Sequence, residues 1–187
     1  MNFDTAVRLA TVEGLDGLTM GKLAKATDIS KSGVYAHFDS KQDLQQATVE
    51  NARSLFVEAV VAPALSAEGL ERLTALCEAF LTYVEQRTLP GGCFFAAAAS
   101  ELGGRPGPLR EQVAANQRDW ISLLSAAATE SVSKQQLSPD TDVAGLVFEL
   151  NALVISANTG FILHDDPVII SRARAAVERV LSAAKPA

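Results

Sequence analysis

The stretch from Thr19 to Lys41, TMGKLAKATDISKSGVYAHFDSK, limits the fold more than any other part of the chain, because it packs two short helical patterns and their caps into very few residues. Thr19 is placed to cap a helix whose inward positions are Met20, Leu23, Ala24 and Thr27, the i, i+3, i+4 spacing of one buried face. Lys22 and Lys25 then fall on the outside. Asp28, Ile29 and Ser30 leave room only for a steep turn between two helices, with Ile29 plugging the corner and Ser30 capping the next helix. This spacing predicts a helix-turn-helix.

The second helix of the pair, from Lys31 to about Phe38, has Val34 and Phe38 as anchors. Lys31, Ser32, Gly33, Tyr35, Ala36 and His37 are left facing out. Small residues let a backbone approach a major-groove floor, and polar ones reach base edges and phosphate oxygens. Ser40 then caps a third helix, with Asp43 at its N3 position as in a capping box. Lys41 lies in that first turn, where a cation opposes the helix dipole and an external anion would relieve it.

These residues resemble the DNA-binding domain of TetR-type transcriptional regulators. The shared pattern is Thr19 opening the first helix, Ala24, the Asp28 to Ser30 turn, Tyr35, the His37-Phe38 end and the Ser40-Lys41 pair. The resemblance covers about a quarter of the chain. Position by position, it implies base-edge contacts from Lys31, Ser32 and Gly33, and phosphate contacts from Thr19, Tyr35, His37 and Lys41. The chain departs from the family pattern at Asp28, where glycine is usual, and at Met20 and Gly21, where relatives often carry polar or basic groups.

The chain has 187 residues and a formal net charge of −6, which taken alone points away from nucleic acid. The local balance is different. Residues 19 to 41 hold four lysines against two aspartates, a local +2 that leaves −8 for the remainder, so an acidic body would repel DNA and turn the basic head towards it. Met1 is followed by Asn2, Phe3 and Asp4, without the basic start and apolar core of a secretory signal, so the expected location is the cytoplasm. Cys77 and Cys93 are then expected to be reduced thiols. No Cys or His neighbours stand at ligand spacing, so neither a metal nor a cofactor is expected.

Alanine and leucine dominate and no run alternates in the β manner, which predicts an all-α chain. Residues 3 to 13 read as a first helix with Phe3, Val7 and Ala10 inward, stopped by Gly14. Minor-groove contacts from an arm before it are not expected. The helix from Ser40 runs through Leu44, Ala47, Val49, Ala52, Leu55 and Phe56 to about Val61, ahead of Pro63, and joins the head to the rest. A helix over Ser66 to Arg87 carries the stripe Leu70, Leu73, Leu76, Cys77, Phe80, Leu81 and Val84. A short small-residue segment over Cys93 to Leu102 and a helix from Pro108 to about Ser131 come next, then a polar loop over Ser133 to Thr141.

The most apolar stretch, DVAGLVFELNALVISANTGFIL, has apolar residues all round, which demands cover on several sides. Glu149, Asn151 and Asn158 inside it argue against a membrane span and for cover by a second subunit. With a last helix whose inward positions are Ile169, Ala173, Val177 and Val180, it predicts half of a four-helix homodimer interface. The TetR resemblance implies the same arrangement. Polar groups amid apolar ones also suggest a ligand pocket. Its candidates are Phe80, Tyr83, Phe94, Phe95, Trp120, Phe148 and Asn151, although core packing is the commoner fate of such aromatics.

The expected organisation is therefore a three-helix DNA-binding domain over residues 1-45 and a helical effector-binding and dimerisation domain over residues 46-187. The expected function is a TetR-type regulator, a repressor that binds a palindromic DNA operator as a homodimer and answers to a small-molecule effector whose identity the sequence does not disclose. Scattered acids and bases without a convergent set point away from an enzyme. Two alternatives are a helical small-molecule-binding protein that no longer binds DNA, and a thiol-based redox-sensing regulator using Cys93, whose place at a helix start beside two glycines would lower its pKa.

Overall fold

In the computed structural model, residues 4–186 are described, and among them every regular element is helical. The order is α1 (Asp4–Glu13), α2 (Met20–Thr27), α3 (Lys31–Tyr35), α4 (Lys41–Phe56), α5 (Gly69–Glu85), α6 (Phe94–Leu102), α7 (Pro108–Ser133), α8 (Val143–His164) and α9 (Val168–Ala183). The expected all-α class is what is found. Packing groups residues up to 55 with 89–117 in one compact unit, and 56–88 with 118 onward in a second. The helix-turn-helix therefore shares its unit with α6 and the start of α7, segments far from it in sequence.

In the first unit, α1 buries Ala6, Val7 and Ala10 and ends at Gly14, whose φ of +80° is the left-handed conformation glycine adopts freely. Phe3, expected on the same face, lies outside the described residues. The Thr19 hydroxyl accepts from the Lys22 amide at 3.2 Å, capping α2, and Met20, Leu23 and Ala24 are buried beneath it. Asp28 sits at φ +55°, and the Ile29 amide reaches back to the Ala24 carbonyl at 3.2 Å. Aspartate tolerates this conformation, so the turn closes without glycine.

The corner then depends on a missing side chain. A Cβ on Gly33 would lie 2.7 Å from Ile29 Cγ2 and 3.2 Å from Ser30 Oγ, the atom that caps α3 by accepting from the Gly33 amide at 3.1 Å. α3 is shorter than expected, ending at Tyr35. Beyond it the His37 and Phe38 amides both turn back to the Val34 carbonyl, at 3.0 and 3.2 Å. That tightening carries Phe38 into the core, where it is buried along with Val34. Ser40 caps α4 through the Asp43 amide at 3.0 Å, and the Asp43 carboxylate accepts from the Asp39 amide at 3.2 Å.

In the second unit the connector does not stay α-helical to Val61 as expected. After Phe56 it widens into a π turn over Val57–Val61, then tightens into a 3-10 turn over Ala62–Ala64 that contains Pro63. A ring without an N–H cannot continue an α-helix, and the change of winding occurs just ahead of it. α5 starts at Gly69 rather than Ser66 because Gly69 adopts φ +52°. Its first free amides are taken from afar, Gly69 by Glu130 at 3.0 Å and Leu70 by Gln136 at 2.9 Å. On α9 the buried positions are Ile170, Ala173, Val177 and Leu181, so Ile169 and Val180 of the expected stripe are only half-buried. Arg174 of α9 forks across Glu78 and Glu85 of α5, at 2.8 and 2.7 Å, and its guanidinium holds the Glu85 carboxyl below its usual range.

The Gly33 contact makes a prediction about the head. Gly33→Ala should cost about 1–3 kcal/mol, since moving Cγ2 away turns a β-branched isoleucine off its preferred χ1 rotamer or shifts backbone. Ile29→Leu, which removes that methyl, should recover part of the loss when both changes are combined, as read from chemical denaturation of the four proteins.

Candidate nucleic-acid interface

The turn between α2 and α3 determines which side chains reach the surface. Val34 and Phe38 point inward, and Lys31, Ser32, Tyr35, Ala36 and His37 are exposed, Tyr35 to 56%. The Ser30 and Ser32 hydroxyls lie 3.0 Å apart, so one of them orders the other. Lys31 lies across α2: a Cβ built on Gly21 would meet its Cε at 3.3 Å. Gly21 thus leaves the lysine a path over the helix, and Met20, only 5% exposed, is core. Thr19 spends one lone pair of its oxygen on the cap, a bond that leaves its hydroxyl proton uncommitted.

The cations differ in how far they are committed. Lys22 is ion-paired with Glu13, and Lys41 Nζ donates to the Asp16 carbonyl at 2.6 Å. Lys25 and Lys31 form no ion pair among the described residues. Gly33 is half-buried, and its lack of a side chain is taken up by Ile29 and Ser30. Its part in any DNA contact is confined to close backbone approach. The face as a whole presents amine, hydroxyl, phenol and imidazole groups with no carboxylate from α3, a surface suited to phosphate and base edges.

Sequence reasoning missed the residues that hold this face from below. Gln45, 5% exposed, donates from Nε2 to the Leu15 carbonyl at 2.8 Å, and Glu101 of α6 accepts from the Leu15 and Asp16 amides at 2.7 Å each. No local pattern marks contacts spanning 30 and 86 residues of chain.

The candidate pocket residues do not all come together. Phe80, Tyr83 and Trp120 do, joined by Phe56, whose ring stands 6.1, 6.1 and 5.5 Å from theirs in edge-on contacts. Such pairings add to what burial alone supplies. Asn151 belongs with them, accepting from Trp120 Nε1 at 3.0 Å, and this bond offsets the cost of taking its amide out of water. Phe94 and Phe95 instead pack edge-on against each other at 5.3 Å in the first unit. Phe148 is 76% exposed on α8, because it lies on the side of that helix opposite Leu146, Val147 and Leu150. Phe56 was legible only as one apolar position among many on the connector.

Cys93 is a further correction. It is 2% exposed, and burial pushes its thiol up to about 11 against the opposing pull of the Ala96 and Phe95 backbone bonds. A buried neutral thiol is the reverse of the accessible thiolate a sensor requires, which argues against redox sensing by Cys93. Cys77 is likewise buried and pushed up to about 12, by burial first and the Glu78 charge second. No group of three or more His, Cys, Asp or Glu side chains among the described residues could hold a metal.

This geometry can be set beside known proteins. Residues 3–48 match the family model "Bacterial regulatory proteins, tetR family", and residues 69–177, more than half of the chain, match "Tetracyclin repressor-like, C-terminal domain". The biofilm operon icaADBC HTH-type negative transcriptional regulator IcaR of Staphylococcus epidermidis is 33% identical over 55 residues, 29% of this chain and 30% of IcaR. The match thus spans less than a third of that relative. A TetR transcriptional regulator from Chloroflexus aurantiacus superposes with a TM-score of 0.88 at 22% identity, over 96% of this chain and 91% of that one. AibR, solved in complex with isovaleryl coenzyme A and operator DNA, does so with a TM-score of 0.75 at 23% identity, over 95% and 94%. At such identities the superpositions show a shared fold, and the two family models together span the head and most of the body. The chain belongs to the TetR family of transcriptional regulators.

Proposed function

We propose that this regulator is a repressor that binds a near-palindromic operator as a homodimer and that a small molecule bound in its body changes its affinity for that operator. The observation that carries the reading is the exposed α3 face, where Lys31, Ser32, Tyr35 and His37 stand clear of the core while Val34 and Phe38 fix the helix from beneath. In this reading Lys31, Ser32 and the Gly33 backbone meet base edges. Thr19, Tyr35, His37 and Lys41 hold phosphates, and the protein works in the cytoplasm where its DNA is. IcaR, 33% identical over 55 residues, is by its name a negative regulator.

The homodimer is supported by α8. This helix is long and apolar enough to cross a membrane by length and composition, yet it leaves Phe148 and Leu163 exposed to 76% and 73%. Two large apolar groups in water on one helix call for a cover, and a second copy presenting α8 and α9 supplies one symmetrically. We propose the effector site at the cluster of Phe56, Phe80, Tyr83 and Trp120, with Asn151 as its polar group. AibR, of the same fold, was solved with both isovaleryl coenzyme A and operator DNA. A ligand that favours one of two arrangements of the heads shifts operator affinity by its differential binding to them.

Two measurements test this. On a duplex selected from a random DNA pool, Lys31→Ala should weaken binding roughly tenfold while changing binding to unselected DNA little, because base contacts carry sequence information. Tyr35→Ala should weaken both to a similar degree, as a phosphate contact does. Unchanged gel-shift affinity for both variants would count against the interface. Separately, Phe148→Glu should convert a sedimenting dimer to monomer at micromolar concentration without loss of helical circular dichroism; an unchanged dimer would remove α8 from the interface.

A further inference from the structure

The loop between α1 and α2 is fastened from two sides within the first unit. From α6, the two carboxylate oxygens of Glu101 each take one backbone amide, Leu15 and Asp16, at 2.7 Å, and beyond its end Arg105 pairs with the Asp16 carboxylate. From α4, Gln45 Nε2 donates to the Leu15 carbonyl at 2.8 Å and Lys41 Nζ to the Asp16 carbonyl at 2.6 Å. The peptide group joining Leu15 to Asp16 is therefore gripped at both its oxygen and its nitrogen. The fit is close. A Cβ on Gly14 would come within 3.1 Å of Glu101 Oε2, and one on Gly91 would fall 1.9 Å from the Thr11 carbonyl at the end of α1.

Lys41 stands in the first turn of α4, where the helix dipole works against a cation, and the carbonyl it leans on belongs to the residue whose amide Glu101 holds. A lysine side chain otherwise has many rotamers to lose on gripping a phosphate. We propose that Glu101 is a positioning residue for DNA binding. By fixing Asp16 it fixes the perch of Lys41, so that the amine is aimed before the operator arrives. This rests on the reading that Lys41 touches an operator phosphate.

The test compares the full chain with Glu101→Gln, Lys41→Ala and the double variant, by fluorescence anisotropy on the selected duplex across a salt series. Glutamine keeps the size of Glu101 but turns an NH2 towards one of the two amides. Glu101→Gln is expected to weaken binding roughly three- to tenfold and to flatten the log–log salt dependence by about one unit per head, the loss of one phosphate contact, as Lys41→Ala does. Added to Lys41→Ala, it should change affinity less than twofold, because the two residues act through one contact. If Lys41→Ala leaves affinity and slope unchanged, the phosphate assignment itself is wrong. If Lys41→Ala weakens binding but Glu101→Gln does not, or if Glu101→Gln costs as much with Lys41 absent, the positioning role is overturned. Should circular dichroism show that Glu101→Gln unfolds the head, Glu101→Asp takes its place in all four comparisons. It keeps the charge but is one methylene short, enough to hold a single amide, and an intermediate loss confined to the Lys41 background is expected.

Discussion

Ile29 closes the angle between α2 and α3 only because residue 33 has no Cβ: a methyl there would stand 2.7 Å from Ile29 Cγ2. The same glycine gives its amide to Ser30 Oγ, the cap of α3. One missing side chain thus supports the packing of the corner and the start of the recognition helix together. Since α3 is too short to be stable alone, its position comes wholly from this corner and from Val34 and Phe38 beneath it. Everything that faces outward is free to be chosen for the partner, which is why the exposed row can consist of amine, hydroxyl, phenol and imidazole groups.

Charge is organised on the same principle. The chain is acidic as a whole, yet residues 19 to 41 hold four lysines against two aspartates, and the lysines' commitments differ. Lys22 is neutralised by Glu13, and Lys41 leans on a carbonyl, which orders it without cancelling its charge. Lys25 and Lys31 form no ion pair among the described residues. Cations left uncancelled are the ones that can displace counterions from a polyanion.

In the body, polar groups are handled at the places where they are unavoidable. Asn151 meets Trp120 beside the aromatic cluster, the first amides of α5 are answered by Glu130 and Gln136, and Arg174 ties α9 to α5 through Glu78 and Glu85. The exposed phenylalanine and leucine of α8 have no such answer among the described residues, and an apolar surface of that kind is the ordinary mark of an interface.

The sequence by itself determined the helices, the turn and the outward row of α3, because caps, periodicity and short spacing act over one or two helical turns. Thr19, Ser30 and Ser40 cap as their types and positions require, and Val34 and Phe38 are buried as their spacing demands. Only the tertiary structure decided the rest. The α9 stripe settled on Ile170 and Leu181 because a 3.6-residue period leaves neighbouring registers nearly equal until a packing partner chooses between them. Phe56 became the hub of the aromatic cluster, Phe148 turned outward, Cys93 was sealed from solvent, and Glu101 closed on a loop 86 residues away. Each of these depends on which surfaces meet across long stretches of chain, and a local pattern carries no record of that meeting.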